Sequence, residues 1–164
     1  MPATTKVPLG ASTLIRKWYV DVNTGTTAVP VWTGVFGIGE FKSGQDDSLQ
    51  DDADFDSDGW KSQTKTAAAW SLELKLARKV RVALATAYDP GQEKLRAASM
   101  EAGTANTVEV RWYEMTTAGP RVESFQGFAA VSWSPDGGDM EALDMVSVTL
   151  TGQGKRNATT HPSP

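Results

Sequence analysis

Between Ala69 and Ala77 apolar and polar residues alternate without a break, with Trp70, Leu72, Leu74 and Leu76 set against Ser71, Glu73 and Lys75. A period of two puts every apolar side chain on one face of an extended chain, the pattern of a strand with one face buried and one wet. The pattern returns in Val108, Val110 and Trp112 against Glu109 and Arg111, and in Val146, Val148 and Leu150 against Ser147 and Thr149. Each such strand needs neighbours to pair with and a layer to cover its apolar face. Fifteen Gly and eight Pro supply breaks between them, so the chain reads as strands joined by turns and not as a helical bundle.

Weaker signals fill in the rest. Leu14–Val22 predicts a strand of imperfect pattern, Asn23–Ala28 a turn, and Val29–Ile38 a second strand bent by its glycines. Val80, Val82 and Leu84 continue the 69–77 strand or form its neighbour, with Arg78, Lys79 and Arg81 on a wet or partner-facing side. One helix is announced by Asp89 as cap, Pro90 at its first position and Gln92 completing a capping box. Its stripe is Leu95, Ser99 and Ala102, with Ala98 and Met100 beside it and Gly103 as terminator. Thr116–Pro120 reads as a turn, Arg121–Ser132 as the returning strand, and Ser134–Gly138 as the densest turn signal. The whole makes one domain over 14–151, with a flexible arm over 1–13 and a polar, flexible tail over 152–164.

The side-chain inventory removes much chemistry. There is no Cys, and the one His, His161, lies in the tail; thiolate sites, histidine zinc sites and Ser-His-Asp triads are therefore out of reach. No apolar run approaches the roughly 18–20 residues that cross a bilayer, and the first residues lack the apolar stretch of a signal peptide. The expectation is a protein made and kept in a cytoplasm, with no membrane insertion, no cofactor and no enzymatic activity.

The net charge of −4 conceals a division: residues 40–58 hold eight acids and one base, local charge −7, and the remainder is +3. This acidic stretch belongs to 40–66, the longest segment without an evident element, expected to be a long loop. Phe41, Leu49, Phe55 and Trp60 are spaced through it. Apolar residues have little use in a purely solvated linker, so an arm ordered against a partner explains both features. Asp54, Asp56, Asp58 and Gly59 match the first half of an EF-hand loop, but its twelfth position is Lys65, a cation in place of a bidentate carboxylate. Seven Asp within thirteen residues offer pairs without a framework that separates an acid from a base. The cations Lys75, Arg78, Lys79 and Arg81 make a poor nucleic-acid footprint; they read as the outer face of a strand, or as a surface that receives the acidic arm of a neighbouring subunit. Gly152-Gln-Gly154-Lys155 lacks the spacing and following helix of a phosphate loop. Of six tryptophans, Trp70 and Trp112 are in phase with strand cores, and Trp60 stands apart as a contact between chains.

The acidic segment GEFKSGQDDSLQDDADFDSDGW (39–60), the strand AAAWSLELKL (67–76), the helix start DPGQEKLRA (89–97), the strand pair VEVRWYEM (108–115) and RVESFQGFAAVSWS (121–134), and the closing VSVTLTGQGK (146–155) occur in an order that resembles the major tail tube proteins of long-tailed, non-contractile (siphovirus-type) bacteriophages. The resemblance implies a mainly β fold, a small β-sandwich or barrel with one flanking α-helix and a long acidic loop. It implies hexameric rings stacked into a tail tube, the conduit for genome ejection, in a virion assembled in the host cytoplasm. Partners would be further copies of the chain, a tape measure protein, tail terminator and tip proteins, and double-stranded DNA in transit without specific binding. The long loop would reach a neighbouring ring, and the terminal arms would order on assembly. The inter-subunit residues expected are Glu40, Asp46, Asp47, Leu49, Asp51, Asp52, Asp54, Phe55, Asp56, Asp58 and Trp60 on the arm, and Lys75, Arg78, Lys79 and Arg81 on the receiving surface. Two other readings stay open: a β-barrel module that binds a ligand or partner through the acidic loop, and a ring-forming tube protein of a secretion apparatus.

Overall fold

The computed structural model describes residues 7–115 and 119–162. Seven strands, β1 (Trp18–Asn23), β2 (Trp32–Gly34), β3 (Ile38–Asp51), β4 (Gln63–Ala77), β5 (Thr107–Glu114), β6 (Ser124–Pro135) and β7 (Met145–Ala158), and one helix, α1 (Pro90–Ser99), make up the fold. The strands form one sheet in the order β2-β1-β5-β6-β7-β4-β3, and every pairing is antiparallel. The expectation of a mainly β fold with one flanking helix holds. The sheet curls but does not close: Trp18 of β1 stacks on Phe41 of β3 at 5.2 Å, and Trp70 of β4 meets Trp112 of β5 at 4.9 Å, while β2 and β3 keep free edges.

The alternating residues line the inside of this curl. Trp70, Leu72, Leu74, Leu76, Val108, Val110, Trp112, Val146, Val148 and Leu150 are all buried in one cluster with Val20, Val22, Val131 and Leu95. The inward phase predicted for β4, β5 and β7 is thus the observed one. Helix α1 packs against β6, β1 and β2 and adds Leu95 to the core. The Asp89 side chain caps it by accepting from the Gln92 backbone N–H at 3.0 Å, with Pro90 in the first turn. The reciprocal half of the capping box does not form, because the Gln92 side chain is buried and donates to the carbonyls of Phe36 and Ala77 instead. The helix stops at Ser99, so its buried stripe is Gly91, Gln92, Leu95 and Ala98, not Leu95, Ser99 and Ala102. Gly103 has φ +64° and opens a short 3-10 turn rather than ending the helix.

Five sequence expectations need correction. Residues 40–66 are not a loop: β3 and β4 run through them as a long hairpin, leaving only 52–62 as the connection. Its pattern was hidden because β4 pairs with β7 only over Ser71–Ala77; the distal part is a two-stranded ribbon exposed on both faces, where nothing selects apolar residues. Residues 152–158 continue β7, paired to β6 through Phe125↔Ala158, and do not begin the tail. The chain over Ile15–Lys17 is a 3-10 turn, and of Val29–Ile38 only Trp32–Gly34 is β2. Residues 78–88 are neither a strand extension nor a neighbour, since only one isolated bridge, Val80↔Tyr88, occurs there. Residues 1–6 of the arm, 116–118 of the Thr116–Pro120 turn and 163–164 of the tail lie outside the described residues.

Candidate assembly surface

The hairpin ends in an ordered acidic tip. Asp52 N–H donates to Ser62 O at 3.0 Å, Ser57 N–H to Asp54 O at 3.2 Å, and Trp60 N–H to Ser57 O at 2.9 Å. Asp58 and Gly59 take positive φ, +49° and +79°, the left-handed geometry that Asp tolerates and Gly prefers. Several acids are spent on the turn itself. Asp54 accepts from Ser57 Oγ and from Asp56 N–H, Asp51 from Ala53 N–H, and Asp52 from the Thr64 hydroxyl. The Thr64 bond, with help from Ser62, holds the Asp52 carboxyl below its usual range. Further down the ribbon, hydrogen bonding to Lys65 (2.6 Å) and then to Gln45 does the same for Asp47. Asp56 and Asp58 have no side-chain hydrogen bond among the described residues and point their charge at solvent.

Between these carboxylates the tip displays apolar surface. Phe55 and Trp60 are 108% and 81% exposed, and Leu49 is half-exposed. The EF-hand half-match falls on this turn; among the described residues no group of three or more acids or His is arranged to hold a metal ion. The residues predicted for the arm therefore separate. Leu49 to Trp60 cluster at the distal end, Asp46 and Asp47 lie along the ribbon, and Glu40 sits in the body opposite Lys75.

The four cations divide as well. Lys75 pairs with Asp136 at 3.3 Å. Arg78 is nearly buried: it donates to Gln92 Oε1 (3.0 Å) and Glu93 (2.6 Å) and lies 3.8 Å over the Tyr88 ring. Burial pushes the Glu93 carboxyl up, but hydrogen bonds from Arg96 and Arg78 outweigh it and leave it below its usual range. Arg78 thus joins β4 to α1 and is withdrawn from any receiving surface. Lys79 and Arg81 are exposed, and neither has an ion-pair partner among the described residues. Around them stand apolar side chains that the charge pattern did not single out: Phe36, Val80, Val82, Leu84 and Tyr88 are all exposed. The sequence signal for them was the alternation of Val80, Val82 and Leu84, which reads equally well as a strand.

Among the described residues no strand pairs with either outer edge of the sheet, though the first turn of α1 packs on β2 at Gly34. β2 offers three residues and β3 fourteen, a long row of backbone donors and acceptors open to another chain. Nothing in this arrangement of described residues separates a nucleophile from a base.

No protein-family model and no curated protein sequence matches the chain. Solved structures do. A chain in the tail of an empty gene transfer agent particle, refined with C6 symmetry, superimposes with a TM-score of 0.66 at 11% identity, over 91% of this chain and 100% of that one. The chain has a tail-tube-like fold. The SPP1 tail tube subunit matches with a TM-score of 0.61 at 14% identity, over 90% of this chain and 80% of its own. A chain of the six-fold symmetrised anti-feeding prophage baseplate matches at 0.58 and 10% identity, over 92% of this chain and 98% of that one. The likeness reaches beyond one type of virus, and at these identities it concerns the fold.

Proposed function

We propose that this protein is a structural subunit that assembles with copies of itself into hexameric rings stacked as the tube of a non-contractile phage tail. The observation that carries the reading is the likeness, over 91% of this chain, to a chain in a C6-symmetric tail. An open sheet with a fourteen-residue free edge supports it, because a free edge of that length is an aggregation hazard in a monomer and a joint in an oligomer. The match to the anti-feeding prophage favours keeping related particle tubes within the same architecture.

On this reading the protein resides in a virion, assembled in a bacterial cytoplasm, and its lumen passes double-stranded DNA without specific binding. The tape measure, terminator and tip proteins are its further partners. The hairpin residues Glu40 to Trp60 and the exposed cations Lys79 and Arg81 lie at joints between subunits. Negative-stain microscopy of concentrated purified protein tests this: six-membered rings or tubes are expected. A chain that stays monomeric in sedimentation at high concentration, with no rings on the grid, refutes it.

A further inference from the structure

The hairpin tip and the 78–88 loop stand at opposite ends of one strand. β4 leaves the tip at Gln63 and delivers the chain into the loop after Ala77; at about 3.3 Å per residue the two ends are roughly 45–50 Å apart. The near end of this strand is clamped between β3 and β7, so the tip cannot fold back on its own loop. The two surfaces are nevertheless complementary. The tip carries Phe55 and Trp60 among carboxylates, with no base from Asp51 to Trp60. The loop carries Val80, Val82 and Leu84 among the cations Lys79 and Arg81.

The loop is also preorganised. Arg81 N–H donates to Ala87 O at 2.9 Å and Ala87 N–H to Leu84 O at 3.1 Å. The Arg78 guanidinium under Tyr88 ties the loop's end to α1. Between the loop, Phe36 and Pro90 lies an apolar depression of about 490 Å³, and Val82 stands beside it at 107% exposure. An ordered loop that holds apolar side chains in water is the usual mark of a surface kept for a partner.

We infer that the 78–88 loop, with Phe36, is the socket for the hairpin tip of a second copy of this chain. Phe55 and Trp60 enter the apolar depression, and Asp56 and Asp58 face Lys79 and Arg81. The inference rests on the assembly proposed above and names the receiving surface. Because the two halves of the joint lie at opposite ends of β4, the contact is heterologous and each docking leaves a free tip and a free socket. One such joint therefore gives the stack a direction.

The test uses the full chain and its assembly concentration, read by light scattering and sedimentation, with far-UV circular dichroism to confirm folding. Phe55→Ser with Trp60→Ser, and separately K79E with R81E, should each raise that concentration at least about tenfold, as loss of interface anchors does. All four residues are exposed, so the fold should not change. Combining K79E and R81E with D56K and D58K should restore assembly to near the wild-type concentration. Socket variants that assemble like wild type overturn the inference while leaving the tube reading intact, and so does a charge-swapped chain that fails to recover. A closed dimer as the end point overturns the directional joint, because two chains would then fill each other's sockets and leave neither a tip nor a socket free. Wild-type protein that never assembles overturns the inference together with the proposed function.

Discussion

Replacing Gly152 by alanine should destabilise the fold by steric conflict at a position that looks harmless in the sequence. Trp70 projects from β4 where β7 turns away from it, and it is 5% exposed. Its indole lies flat on two neighbouring strands at their glycines. A Cβ on Gly152 would stand 2.4 Å from Trp70 Cε2 and 2.5 Å from Nε1, and one on Gly127 would stand 2.7 Å from Cζ2. The Nε1–H donates to Gly154 O at 2.9 Å, a carbonyl presented by a residue at φ +84°. A methyl group at 152 must therefore push the ring off its seat.

Overpacking of this kind costs about 1–3 kcal/mol, and loss of the indole hydrogen bond adds about 0.5–1.5 kcal/mol. The Gly152→Ala variant should thus lose roughly 2–4 kcal/mol in urea unfolding followed by circular dichroism. Gly39→Ala is the control, because its added Cβ would meet nothing nearer than 3.7 Å; it should change stability by less than about 1 kcal/mol. The conflict is specific to the indole, so Trp70→Phe should be less damaging in the Gly152→Ala background than alone, a coupling a double-mutant cycle measures. If Gly152→Ala and Gly39→Ala unfold alike, or if the cycle shows no coupling, the account of Trp70 is wrong.

Three more outcomes follow from the buried polar contacts. Arg78→Ala removes the bonds to Gln92 and Glu93 and the Tyr88 contact, and should lower stability by about 1.5–3 kcal/mol in the same assay. Tyr113, raised to about 12 by burial first and then by the Asp21 carboxylate, should titrate late in ultraviolet absorbance, and Asp21→Asn should bring it down. Glu114 is held below its usual range by the Lys17 ammonium at 2.7 Å, against its own burial, with the backbone N–H groups of Val122 and Glu123 helping. A carboxyl depressed in the folded state contributes stability that is full above its unfolded value near about 4.3 and disappears as pH falls through the folded one. Glu114→Gln should accordingly flatten the loss of stability below about pH 4.3, measured by unfolding at several pH values.

The sequence was legible wherever one face of an element is buried and the other wet. Trp70 to Leu76, Val108 to Trp112 and Val146 to Leu150 carry that contrast, and their phase was read correctly. It was illegible where both faces are largely wet, as along Gln63–Ala69 and over much of Gln153–Ala158. Those residues are strands chiefly through backbone pairing, and backbone groups leave no trace in side-chain pattern. The opposite error befell Val80, Val82 and Leu84, whose apolar alternation faces solvent on a loop. At the candidate site, the tip's charge and aromatics were evident from composition. The proposed socket was only half visible, because Lys75 and Arg78 differ from Lys79 and Arg81 only in having found Asp136 and Glu93, partners set by tertiary structure.

That division bears on how the free edge of β3 is kept safe. A flat apolar edge of fourteen residues would pair with any other strand, yet this one is interrupted by bulges at Ile38/Glu40 and Ser48/Leu49. It also carries Lys42 and the acids Asp46, Asp47 and Asp51 along its length. Bulges twist an edge away from its neighbours, and charges make unselective stacking of like edges repulsive. The carboxylates along the edge thus keep two identical hairpins apart, while Asp56 and Asp58 at the tip are the ones that face a basic partner in the proposed assembly. An acidic hairpin next to an acidic hairpin is penalised, whereas an acidic tip against Lys79 and Arg81 is not. In the proposed assembly the lopsided charge accordingly acts twice, against edge-to-edge aggregation and in favour of an end-to-end joint.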